Sequence, residues 1–130
     1  MGFFDSMEAS ASALTAQRLR MDTISANIAN ANTTRTAKGE AFRREMVVFE
    51  SSPLKHTTVV KVSKIVEDPS PFRTVYEPGH PDANKDGYVS YPNVNPITEM
   101  VDLISASRSY EANTAVIGTF KSVAQKALEI

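Results

Sequence analysis

The sequence predicts an α+β protein in which long N- and C-terminal helices pair as an α-helical coiled coil, with a small antiparallel β hairpin or meander inserted between them. Three observations lead there. Apolar residues recur at intervals of seven near both ends, the spacing that gathers side chains along one seam of a helix. All seven prolines lie between Pro53 and Pro96, which bars long helices from the middle of the chain. That middle also holds two runs, Glu45–Glu50 and Thr57–Val66, rich in valine, threonine and isoleucine, as half-buried strands prefer. The expected division is residues 1–36 for the first helix, 37–94 for the proline-rich β insertion and 95–130 for the helix that completes the helical core.

The first helix is expected from Asp5 to about Asn30. Asp5 reads as its N-cap, with Glu8 three residues on in the capping-box arrangement. Met7, Leu14, Met21 and Ile28 fall at strict intervals of seven, with Ile24 and Ala31 in companion positions. The remaining companions are Ser10 and Gln17, and Ala9, Ala11, Ala13 and Ala16 thin the stripe further. A helix with so little apolar mass depends on a partner for its order. Ahead of it, Phe3 and Phe4 read as packing residues. At its end stand Asn27, Asn30 and Asn32. Asparagine disfavours helix interiors but satisfies loose carbonyls at helix ends, so a C-terminal cap and turn is the plainer expectation. Amide ladders that fix register between packed copies of the helix are the sharper one.

In the insertion, Glu45–Glu50 and Thr57–Val66 read as strands, the second with partial alternation of apolar and polar residues. Arg73–Tyr76 and Tyr88–Tyr91 are shorter candidates, separated by turn signals at Pro78-Gly79 and Asp86-Gly87. So small a module needs the helices or a neighbouring subunit to cover it.

The last helix is expected from Asn95 onward, with Asn95 as N-cap and Pro96 at the first helical position, where its missing N–H costs nothing. Glu99 and Asp102 suit the positive end of its dipole, and Lys121 and Lys126 the negative end. Two offset tracks run through it: Met100, Ser107, Thr114, Lys121 and Leu128, and Leu103, Tyr110, Ile117 and Ala124. Val116, Phe120, Val123, Ala127 and Ile130 widen the stripe, which suggests burial against more than one neighbour.

Composition removes several function classes. A formal net charge of -1, from 14 basic and 15 acidic residues, provides no electrostatic footprint for nucleic acid. Without cysteine there is no disulfide, thiolate metal site or cysteine nucleophile. The N-terminus has no basic segment followed by an apolar core, so no cleaved signal peptide is expected. No apolar run approaches the ~20 residues that span a bilayer, so no direct membrane insertion is expected. The five glycines are scattered, and His56 and His80 are the only histidines, so neither a phosphate loop nor a zinc or hydrolase pattern forms. No enzyme and no cofactor is expected. Asp82-Ala83-Asn84-Lys85-Asp86-Gly87 reproduces the first half of an EF-hand loop, but position 12 is Asn93 where a bidentate glutamate is required.

Ser25-Ala26-Asn27-Ile28-Ala29-Asn30-Ala31-Asn32-Thr33 resembles the N-terminal signature of the bacterial flagellar axial proteins, the rod and hook family. Glu99-Met100-Val101-Asp102-Leu103-Ile104 and Arg108-Ser109-Tyr110-Glu111-Ala112-Asn113 resemble that family's C-terminal helix. Thr33-Thr34-Arg35-Thr36 with Phe42-Arg43-Arg44, and Tyr76 to Asp82 through Gly87 to Asn95, are similar to the proximal-rod branch. Hook and distal-rod members carry a glycine-aromatic-basic triplet soon after the asparagines. Here Thr34-Arg35-Thr36 stands in that place.

The resemblance implies a structural subunit of the proximal rod, polymerising through its terminal helices into the helical drive shaft that transmits torque and encloses the export channel. It implies as partners further copies, other proximal and distal rod proteins, the junction of rod and membrane ring, and the flagellar type III export apparatus. It implies a periplasmic rod location without a cleaved signal, and terminal helices that order on assembly. The expected helix-packing and assembly residues are Met7, Leu14, Met21, Ile24, Asn27, Ile28, Asn30, Asn32, Met100, Leu103, Ile104, Tyr110, Asn113, Ile117, Phe120 and Ala124. Within a subunit, Met7, Leu14, Met21 and Ile28 are expected to pack on Leu103, Tyr110, Ile117 and Ala124. A helical-hairpin adaptor for one partner helix is the alternative reading, and a calcium module at residues 82–93 a third.

Overall fold

The computed structural model describes residues 2–130. Helix α1 (Phe3–Ala29) is followed by strands β1 (Glu45–Leu54), β2 (Thr57–Glu67), β3 (Arg73–Tyr76) and β4 (Tyr88–Tyr91), and helix α2 (Pro96–Leu128) closes the chain. The helices are antiparallel neighbours: the Phe3 ring meets Phe120 edge to face at 4.9 Å, and at the other end the Asn27 amide reaches Glu99. The start of α1 requires a correction. Its N-cap is Gly2, in extended backbone, and Asp5 is the third helical residue, whose carboxylate accepts the Gly2 N–H at 2.9 Å. Helix begins earlier than the capping pattern indicates because Phe3, packed on Phe120, belongs to the helical seam. At the start of α2, Asn95 caps as expected, its side-chain oxygen accepting from the N–H groups of Ile97 and Thr98.

The insertion forms two separate two-stranded sheets. Strands β1 and β2 make a long antiparallel ribbon closed by the two-residue loop Lys55-His56, with Lys55 at φ 47°. Its register slips between Val48 and Phe49, so Ser63 stands opposite no residue, as in a β-bulge. Strands β3 and β4 pair from Arg73 opposite Tyr91 to Tyr76 opposite Tyr88, and Val89 of β4 is fully buried. Gly87 turns the chain into β4 at φ 86°, a left-handed conformation that glycine adopts without penalty.

Helix α1 is the central element. It packs against α2 and against both strands of the ribbon, whereas α2, among the described residues, packs against no other helix or strand. In heptad terms only two of α1's seven positions face solvent: Phe4, Ala11, Arg18 and Ser25 on one, and Glu8, Thr15, Asp22 and Ala29 on the other. The stripe of small residues at Ala9, Ala13 and Ala16 thus has a structural cause, since small side chains let a second layer approach the helix backbone closely. Buried Ala16, Thr23, Ile24 and Asn27 of α1, Ala41, and Glu99 and Ala106 of α2 form the middle of the molecule.

Candidate functional site

Where the loop after α1 enters β1, a polar junction ties all three parts of the chain together. Asn27 is 1% exposed. Its side-chain oxygen accepts from Glu45 N–H at 3.0 Å, while its nitrogen donates to the Glu45 carbonyl at 2.9 Å and to Glu99 Oε2 at 3.2 Å. The amide thus pairs with Glu45 as a neighbouring strand would, and with its second N–H holds α2. Glu99, also 1% exposed, takes the Arg44 Nε–H on its other oxygen. Arg44 Nη1 reaches Asp68 Oδ2 at 3.2 Å, and Nη2 lies 3.9 Å from Asp102. Asn93 accepts from Arg44 N–H at 2.8 Å and donates to the carbonyls of Asp68 and Ser70. Arg43 reaches the same two carbonyls and stacks over Phe72 at 4.2 Å.

The charges explain one another. Burial works against the Arg44 cation, but Glu99 and then Asp68 more than offset it, leaving its pKa raised. The Asp68 carboxylate is held below its ordinary value, first by the hydroxyl and N–H of Ser70 and then by Arg44. A buried pair of this kind adds little when complete, but removing one partner strands a charge and costs about 3–5 kcal/mol. The junction therefore fixes the geometry between insertion and helices.

The second feature is apolar. On α2 the half-buried or buried line runs through Glu99, Leu103, Ala106, Tyr110, Asn113, Ile117, Phe120 and Ala124. The track of Leu103, Tyr110, Ile117 and Ala124 therefore turns inward. Its companion is corrected: Met100, Thr114, Lys121 and Leu128 are exposed, and Glu99, Ala106, Asn113 and Phe120 take the inward places. Opposite the seam an outward stripe stands free, with Ile97 74%, Val101 61%, Ile104 54% and Met100 51% exposed. At the open end of the hairpin, Phe3, Phe4, Val123, Ala124, Ala127 and Leu128 line an apolar notch of about 420 Å³.

Met7, Leu14, Met21 and Ile28 of α1 are all half-buried, one heptad position round from Phe3 and Ile24. The three asparagines part company. Asn27 is the buried tie just described; Asn30 caps α1 by donating to the Ala26 carbonyl at 2.8 Å; Asn32 is exposed. Asn113 donates to Ser109 O within its own helix. Sequence reasoning placed Arg44 in a family motif without its partners, and it read Glu99 only as a complement to the helix dipole. A carboxylate at an inward heptad position is the signal that identifies Glu99. In the EF-hand-like loop, Asp82 is taken by the Thr34 hydroxyl at 2.6 Å, and Asn84 Oδ1 accepts from Asp86 N–H and Tyr88 N–H. Two of the three would-be ligand side chains, Asp82 and Asn84, are thus engaged by the protein's own donors. Among the described residues no three His, Asp or Glu side chains gather as a metal site, and no helix is long and apolar enough to cross a membrane.

Fold and site define a helical-hairpin structural protein with a small β insertion and an unpartnered apolar face. Comparison with known proteins makes this specific. Residues 7–35 match the family described as flagella basal body rod protein, and residues 85–130 match the flagellar basal body rod FlgEFG protein C-terminal family. The flagellar basal-body rod protein FlgC of Bacillus subtilis is 48% identical over 148 residues, covering 100% of this chain and 99% of the relative. That of Borreliella burgdorferi is 44% identical over 100% of this chain and 98% of its own length, and that of Yersinia enterocolitica 41% over the same shares. The chain belongs to the FlgC family of flagellar basal-body rod proteins.

Proposed function

We propose that this chain is a structural subunit of the flagellar basal-body rod that polymerises through its helices into the shaft. The observation that carries this is the outward stripe of Ile97, Met100, Val101 and Ile104 on a helix whose opposite face is already used within the chain. Half to three-quarters exposed, these four side chains stand to gain roughly 1–2 kcal/mol each on burial, enough together to hold a neighbouring helix when repeated around a tube. The apolar notch at the open end of the hairpin, near the other end of α2, is a second and separate surface of this kind. Other rod proteins, the ring junction and the export apparatus are the further partners in this reading, and catalysis has no part in it. In this reading the two terminal helices make the helical core, and residues 37–94 are the appended β insertion.

The test is Ile104→Asp. Because Ile104 lies outside the intramolecular seam, the purified variant is expected to keep the wild-type circular dichroism spectrum, yet to be absent from isolated basal bodies and to abolish motility. Normal incorporation of Ile104→Asp into rods refutes the assignment of this stripe to assembly. The adaptor alternative predicts a one-to-one complex with a single partner helix and no polymer, which sedimentation of the assembled material distinguishes.

A further inference from the structure

We draw no further inference here: the strongest candidate, the Tyr76–Tyr88 pair on the exposed face of the β3–β4 hairpin, packs edge to face within its own hairpin and carries nothing, because nothing in the structure shows what covers it.

Discussion

Replacing Asn27 by alanine removes the amide that joins α1, the start of β1 and α2. Three partners lose their bond at once: the Glu45 N–H, the Glu45 carbonyl and Glu99 Oε2. At 1% exposure no water reaches the site without opening it. Counting about 1 kcal/mol for each bond gives about 3 kcal/mol. Alanine is the better helix former by about 0.6 kcal/mol, so the expected net loss is about 2.5 kcal/mol. The control is Asn30→Ala, three residues on. There the side chain caps the helix end, bonding the Ala26 carbonyl and the Thr33 hydroxyl while remaining half-exposed, and the expected loss is below about 1 kcal/mol. Because the chain has no tryptophan, urea unfolding is followed by far-UV circular dichroism. If the two substitutions cost the same within about 0.5 kcal/mol, Asn27 is not the tie described and its position merely continues the cap.

Three further outcomes are expected. The depressed pKa of Asp68 means that its contribution to stability is fully present above the ordinary value of 3.8 and is lost as the pH falls through its lower folded value; acid titration of Asp68→Asn should lack that part of the loss and otherwise track the parent. Gly87→Ala forces a side chain onto a φ of 86° and places its Cβ 2.8 Å from the Tyr76 ring, for an expected cost of about 2 kcal/mol, whereas Gly118→Ala meets nothing within 4 Å and should stabilise α2 by about 0.8 kcal/mol, both read by thermal unfolding. Ile117→Asp puts a carboxylate on the inward track of α2 and should abolish incorporation into basal bodies while leaving export of the subunit intact, as measured by its appearance in the medium.

Much of this protein was determined by local chemistry that the sequence states openly. The heptad intervals specified two long helices because a period near 3.6 puts those residues on one face. Asn95-Pro96 marked the start of α2 because a side-chain oxygen and a residue without N–H solve the orphan-donor problem of a helix end. Valine- and threonine-rich runs marked the strands, and β3 and β4 stand at the residues their composition indicates. What neighbours decide was not written there. Asn27 looked like a cap because its amide suits one; only the arrival of Glu45 and Glu99, 18 and 72 residues away, turned it into a buried tie. Glu99 looked like a dipole complement until Arg44 supplied the charge that allows its burial. The alanine stripe of α1 read as weakness because periodicity cannot reveal a second layer. The choice between the two tracks of α2 likewise fell to tertiary structure, since both satisfy the same interval and only the position of α1 determines which one turns inward.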